Sequence, residues 1–85
     1  MQDVKREELQ KALAFVVKKY RNDKSISQLS NEIGLSKSIW SDVERGKKDI
    51  QFSTFCRIAE ALEVKPSLLI QEIEEIIGND FSFLE

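Results

Sequence analysis

Histidine is absent from this chain of 85 residues, and cysteine and proline occur once each, as Cys56 and Pro66. A single cysteine excludes an internal disulfide, and without histidine no Cys/His zinc set can form. No run of about 18 apolar residues is present, and the N-terminal segment lacks the basic-then-apolar pattern of a secretory signal. We therefore expect a soluble cytoplasmic protein that uses no membrane, no metal and no other cofactor.

The residue sets that enzymes use for catalysis are also missing. There is no histidine base, no Gly-rich phosphate loop and no metal-ligand cluster, and Cys56 is expected to be a buried small apolar residue. A chain of this length buries roughly 60–65% of its unfolded surface, which allows one modest core and no large substrate cleft. We predict a single domain that is not an enzyme.

Charge is distributed unevenly along a chain whose net charge is −2. Residues 1–57 carry 12 of the 13 Lys and Arg with 8 acids, a net of +4, whereas residues 58–85 have a net of −6. Nucleic-acid binding depends on the local face that a protein presents rather than on its total charge. The first part therefore stays compatible with DNA, and a solvated acidic end helix is the alternative explanation of the asymmetry.

Apolar residues recur at helical spacing in several segments, and no strand pattern is long enough to matter. This predicts an all-α domain over residues 1–78 with an apolar tail over residues 79–85. For the fourth helix, Ser53 or Asp49 would be a better N-cap than Gln51. We expect Trp40, Phe52 and Phe55 in the core. The predicted helices cover residues 6–21, 26–33, 37–45, 53–62 and 66–77.

Residues 25–46 predict two short helices joined by a tight turn. Ser25 and Ser36 are suitable N-caps for the two helices. Gly34 ends the first helix, because glycine takes the left-handed conformation at no steric cost, and Gly46 ends the second. With Trp40 and Val43 inward, the second helix points Lys37, Ser38, Ile39, Ser41 and Asp42 outward.

This pattern resembles the lambda repressor/Cro-type helix-turn-helix domain, also called the XRE family. The resemblance covers about residues 12–70, and the string GLSKSIWSDVERGKKD carries it most specifically. It implies a compact five-helix DNA-binding domain. Three positions depart from the family pattern: Ile26 replaces a phosphate-contacting Gln, Ser30 an Ala-like residue, and Trp40 an inward aliphatic residue.

The resemblance implies that the second helix of the motif meets base edges in the major groove. It places Lys37, Ser38 and Asp42 at base-facing positions, where Lys37 suits guanine and Asp42 suits cytosine N4. Ile39 can pack on a thymine methyl, and Ser41 shares the outward surface.

Each of these positions has an alternative explanation. Lys37 can be a solvated lysine, and Ser38 a first-turn residue without a DNA contact. Ile39 can pack under the preceding helix. Asp42 can pair with Arg45 at i,i+3 spacing and repel phosphates of wrong sequences.

Phosphate contacts are expected at helix starts and in the basic cluster after the second helix, namely Ser25, Ser36, Arg45, Lys47 and Lys48. Capping alone also explains both serines, and a solvated loop also explains the basic cluster. In family members the residue that matches Glu44 pairs with a basic residue near the end of helix 1. We therefore predict a bridge from Glu44 to Lys19 that orients the DNA-contacting helix.

Family members usually dimerise, and the last predicted helix continues beyond the family's minimum length. The expected dimerisation residues are Leu69, Ile73, Ile76, Ile77, Phe81 and Phe83. Large apolar residues in a tail seldom stay in water without purpose. The tail can fold back on the first helix, exchange with a second copy, or bind another protein.

Three functions remain open on the sequence. The leading one is a homodimeric regulator, associated with the nucleoid, that binds a double-stranded DNA operator and represses transcription. The second is an antitoxin whose tail blocks a toxin. The third is an acidic helical protein-interaction module without DNA binding, which the negative total charge, Ile26 and Asp42 favour.

Overall fold

Five helices make up the part of the chain that the computed structural model describes, residues 2–82 and 84 without the side chains of residues 2, 3, 32 and 33. This confirms the all-α prediction. The first helix begins four residues earlier than predicted, and the others start and end within one residue of prediction. The helices are α1 (Gln2–Arg21), α2 (Ile26–Ile33), α3 (Lys37–Glu44), α4 (Phe52–Ala61) and α5 (Pro66–Ile77).

Serine caps fix the starts of α2 and α3. Ser25 Oγ accepts a hydrogen bond from the backbone N–H of Gln28 at 3.1 Å, and Ser36 Oγ accepts one from that of Ile39 at 3.2 Å. Each hydroxyl satisfies one of the N–H groups that a helix start leaves without an intrahelical partner. At the start of α4, Gln51 rather than Ser53 or Asp49 occupies the N-cap position, and its side chain makes no capping hydrogen bond.

Two glycines in the left-handed region shape the ends of the motif. Gly34 has φ 72° and ends α2, as predicted. Gly46 has φ 69°, and a Cβ at this position would lie 3.4 Å from Lys11 Cα. A larger residue would therefore be strained by its backbone angle and pressed against α1. Gly46 allows the end of α3 to lie close to α1.

The core lies where α1 packs against α3 and α5, with α4 closing it beside α2 and α5. Trp40 is completely buried and Phe55 nearly so, as predicted. Phe52 is 77% exposed, so its predicted place in the core is wrong. It is the first residue of α4, and its ring stacks on that of Phe55, with the two ring centroids 6.4 Å apart. Cys56 is half-buried rather than buried.

The last described residues run beside the start of α1. Asp80, Phe81 and Ser82 line a shallow groove together with Val4 and Lys5. Phe81 is half-buried, whereas Leu84 is exposed. This placement agrees with the fold-back alternative for the tail. Across residues 2–82 and 84, no helix is long and apolar enough to span a membrane.

Candidate nucleic-acid interface

The two sides of α3 have opposite environments. Trp40, Val43 and Glu44 are buried, and they form the inner face of the helix. Residues at i, i+4 and i+8 spacing share one side of a helix, so the remaining positions form a second face turned to solvent. We call this second set the outer face of α3: Lys37, Ser38, Ser41, Asp42 and Arg45, which are exposed or partly exposed.

Ile39 lies between the two faces. Its side chain is half-buried and packs against the core, as does that of Ile26 at the start of α2. This partial burial agrees with the alternative in which Ile39 packs inside the protein, and a contact with DNA stays a prediction. Ile26 stands where the family carries a phosphate-contacting Gln, and its apolar side chain packs against the core.

A bidentate ion pair joins the inner face of α3 to the end of α1. Arg21 Nη2 lies 2.8 Å from Glu44 Oε1, and Arg21 Nε donates to Glu44 Oε2. Arg21 Nη1 also donates to the carbonyl oxygen of Lys24 at 2.8 Å. Hydrogen bonding to the Glu44 carboxylate raises the pKa of Arg21. The pair fixes the orientation of α3 relative to α1.

The predicted bridge from Glu44 to Lys19 is wrong. Lys19 precedes Arg21 by two residues, which is a rotation of about 200° around a helix, so the two side chains leave α1 on opposite sides. Lys19 Nζ instead lies 2.6 Å from Glu72 Oε1 on α5, and the Tyr20 hydroxyl donates to Glu72 Oε2. The end of α1 is therefore tied to α3 on one side and to α5 on the other.

On the outer face, Arg45 folds back over the helix. Its Nη2 donates to Ser41 Oγ at 2.8 Å and lies 3.9 Å from Asp42 Oδ1. The contact between Arg45 and Asp42 is the i,i+3 pair expected as an alternative role for Asp42. Lys37 and Ser38 are exposed one turn earlier on the same face.

The loop after α3 is anchored to α1. With its amide oriented to satisfy both groups, Gln10 donates to the Gly46 carbonyl at 3.2 Å and accepts from the Asp49 N–H at 3.1 Å. Arg6 Nε lies 3.4 Å from Asp49 Oδ2. Lys47 and Lys48 are exposed on this anchored loop. They extend the positive charge of the outer face beyond the end of α3.

The predicted helix-start residues are placed where a phosphate could approach. Ser25 and Ser36 are exposed, and each uses its hydroxyl oxygen as a cap acceptor. The hydroxyl hydrogen is not needed for capping, so it can still be donated to a phosphate oxygen. Capping explains both residues, and a phosphate contact at either one stays a prediction.

The predicted dimerisation residues divide into two groups. Leu69 and Ile73 are buried in the core of the single chain, so their side chains are out of reach of a partner, and this part of the prediction is corrected. Ile76 is exposed, and Ile77 and Phe81 are half-buried. Phe83 lies outside the described residues.

Sequence reasoning missed Arg21 and Gln10, two side chains of α1 that contact α3 and the loop after it. A signal for Arg21 was present, because an arginine at the last residue of a helix can donate two parallel hydrogen bonds to a carboxylate. No pattern marked Gln10, since its two partners are backbone groups of a distant loop.

The geometry of two short capped helices with a buried and a polar side agrees with the sequence comparison. A helix-turn-helix family model matches residues 17–69, more than half of the chain. The chain belongs to the lambda repressor/Cro-type helix-turn-helix family. No curated protein and no solved structure matches this helix-turn-helix protein.

Membership assigns the general activity. The family consists of DNA-binding domains, and this helix-turn-helix protein is a DNA-binding regulator of the XRE type that acts on double-stranded DNA. The matched segment contains all of α2, α3 and α4, together with the Arg21–Glu44 pair. The outer face of α3 therefore lies within the part that defines the family.

Proposed function

We propose that this protein is a sequence-specific transcriptional repressor that inserts α3 into the major groove as a homodimer. The observation that carries the proposal is the division of α3 into a buried inner face and a polar outer face. A helix of about 10 Å diameter fits the major groove, where base edges present distinct donors and acceptors. Repression needs only occupancy of an operator.

The base-contacting residues of the proposal are Lys37, Ser38, Ile39, Ser41 and Asp42. Lys37 is an exposed donor on the first turn of α3, which suits guanine O6 and N7. Ser38 can donate or accept and adds little specificity alone. Because Ile39 is partly buried, we assign it only a small contribution to base recognition, through contact with a thymine methyl.

The phosphate contacts of the proposal surround this face. Lys47 and Lys48 lie on the anchored loop, and Ser25 and Ser36 lie at the helix starts. Arg45, at the end of α3, completes the predicted set. Each neutralised phosphate makes the logarithm of the binding constant fall with the logarithm of the salt concentration by a slope of about −0.9.

A dimer would place two α3 helices about one DNA turn apart, roughly 34 Å. The apolar residues that support a contact between copies are Ile76, Ile77 and Phe81, because Leu69 and Ile73 belong to the core. Sedimentation analysis of the wild type and of Ile76→Glu tests this part. A concentration-dependent dimer that the substitution dissociates supports it, whereas a wild type that is monomeric at all concentrations contradicts it.

Selection from a random duplex library tests sequence-specific binding. The wild type is expected to enrich a palindrome, and Lys37→Ala is expected to change the preference within each half-site. Lys65→Ala removes the same charge at the start of α5, among the acidic residues Glu60 and Glu63, and is the matched control. Lys47→Ala should keep the preference and reduce the salt slope by about 0.9.

One result would contradict the proposal, and a second would remove one part of it. A wild type that enriches no sequence, with binding that does not respond to salt, would favour the acidic protein-interaction module. An enriched palindrome whose preference is the same in Lys37→Ala and Lys65→Ala would remove the role given to Lys37 and leave the rest of the proposal in place.

A further inference from the structure

We propose that Arg45 contacts a guanine base, and that Ser41 and Asp42 are positioning residues that orient its guanidinium. This inference rests on the proposed function, because it needs the outer face of α3 to meet base edges. It changes three assignments made from the sequence and kept in the proposed function: Arg45 moves from a phosphate to a base, and Ser41 and Asp42 move from base contacts to the orientation of Arg45.

The position of the guanidinium is the first argument. Arg45 follows the last residue of α3, and an extended side chain there would leave the helix toward the flanking backbone of DNA. Its Nη2 instead lies 2.8 Å from Ser41 Oγ, one turn back along the helix. The charged group therefore lies over the outer face, between the end of α3 and the exposed Lys37 and Ser38.

The hydrogen bonds that remain open are the second argument. Ser41 Oγ and Asp42 Oδ1 approach the same nitrogen, Nη2, at 2.8 and 3.9 Å. Ser41 Oγ accepts one of the two N–H groups of Nη2, and Asp42 Oδ1 lies beyond hydrogen-bond distance, so the second N–H of Nη2 stays available beside that of Nη1 or Nε. Each of these pairs is one edge of the planar fork and can donate two parallel hydrogen bonds. Guanine presents two adjacent acceptors, O6 and N7, and the bidentate arginine contact with them is the commonest specific contact in the major groove.

The charge of Asp42 is the third argument. A carboxylate beside the guanidinium weakens its attraction to a phosphate, because the negative charge opposes the approach of a second anion. Together with the hydrogen bond to Ser41 Oγ, the contact favours one orientation of a long side chain that is 61% exposed. A guanidinium that is oriented before binding loses less conformational entropy when it contacts a base.

The test compares conservative substitutions on the operator that the wild type selects. Arg45→Lys keeps the positive charge and loses the planar fork, and Asp42→Asn keeps the size of the side chain and removes its charge. Arg57→Lys, an exposed arginine on α4, is the matched control. For each variant, binding to all four bases at every operator position is measured at two salt concentrations.

We expect Arg45→Lys to reduce the preference for one guanine by about tenfold and to leave the salt slope unchanged. Asp42→Asn should partly reduce the preference for that same guanine and leave the base preferences at the other operator positions unchanged. Arg57→Lys should change no preference. This pattern separates a base contact from a phosphate contact, since lysine can replace arginine at a phosphate as a point charge.

Three results overturn the inference. If Arg45→Lys keeps every base preference, Arg45 contacts only phosphate. If Asp42→Asn alters a cytosine position and not the guanine that Arg45 prefers, Asp42 contacts bases itself. In both cases the wild type still selects a palindrome and the proposed function survives. A wild type that selects no sequence overturns the inference and the proposed function together.

Discussion

The inner and outer faces of α3 differ in what holds their side chains. On the inner face, Trp40 packs among core residues and Glu44 pairs with Arg21 from another helix. On the outer face, the Arg45 guanidinium contacts Ser41 and Asp42, two side chains of α3 itself. The inner face is fixed by long-range contacts, and the outer face by neighbours one turn away.

This difference separates the two tasks of one short helix. Inner-face substitutions should change the free energy of unfolding and alter DNA binding only because the fold is lost. Outer-face substitutions should change DNA preference with little effect on stability, since exposed positions of this kind usually lie within about 0.5 kcal/mol. Each prediction below challenges one part of that separation.

The largest effect is expected from Trp40→Ala. Trp40 is completely buried, and truncation of a buried aromatic residue costs about 3–5 kcal/mol. A domain of this size has a total stability of about 4–13 kcal/mol, so the variant should be much less stable or largely unfolded. Urea denaturation followed by far-ultraviolet circular dichroism measures the loss.

Ser38→Ala on the outer face is the control for Trp40→Ala. It should leave the denaturation midpoint almost unchanged, because Ser38 is exposed. A similar loss of stability in both variants would show that the outer face also supports the fold, and the separation of the two faces would be lost.

The second effect concerns the polar member of the inner face. Arg21→Ala leaves the Glu44 carboxylate, whose side chain is only 8% exposed, without its bidentate partner. Loss of one member of a buried ion pair lowers the free energy of unfolding by about 3–5 kcal/mol. Because Arg21 is partly exposed, we expect the loss in Arg21→Ala to lie near the lower limit of this range. Urea denaturation near neutral pH gives the value.

Lys19→Ala is the matched control, because it removes the same charge from the same end of α1. Lys19 is half exposed, and exposed ion pairs contribute little to stability. The loss in Arg21→Ala should therefore clearly exceed the loss in Lys19→Ala. Equal losses would mean that burial of Glu44 does not decide the strength of its pair.

A smaller effect, of opposite sign, is expected at Ser30, which lies in α2. Its hydroxyl is buried, and Oγ has no hydrogen-bond partner within the part of the chain that the structure describes. Ser30→Ala removes this unsatisfied group and introduces a better helix former, so stability should rise by about 1 kcal/mol. Ser27→Ala changes an exposed residue of the same helix and measures the helix-propensity share alone. A loss of stability in Ser30→Ala would show that the hydroxyl has a partner.

The sequence predicted the helices and the outer face because both depend on local rules. Capping serines, a left-handed glycine and 3.6-residue spacing act within one or two turns, so Ser25, Ser36 and Gly34 were placed correctly. Local spacing also predicted that Asp42 and Arg45 could meet.

The partners that cross between helices could not be predicted in the same way. The rotation of about 200° between Lys19 and Arg21 decides which of them meets Glu44, and it depends on how α1 is turned against α3. The exposure of Phe52 depends on where the core ends beside the first turn of α4. The burial of Leu69 and Ile73 likewise follows from how α5 is turned against the core. As a result, only some of the predicted dimerisation residues stay accessible to a partner.

The smallest effect concerns Glu72, the surface counterpart of Glu44. Hydrogen bonds from Lys19 and Tyr20 lower the pKa of Glu72 below its ordinary value of 4.5. A carboxylate with a lowered pKa in the folded state contributes stability that is present above its unfolded pKa and lost as pH falls through the folded value. The difference in unfolding free energy between the wild type and Glu72→Gln should therefore be largest near neutral pH and shrink below pH 4.5. Urea midpoints across this range measure it, with Glu74→Gln on the same helix as the control. A difference that stays constant with pH would mean that the charge of Glu72 has no part in joining α5 to α1.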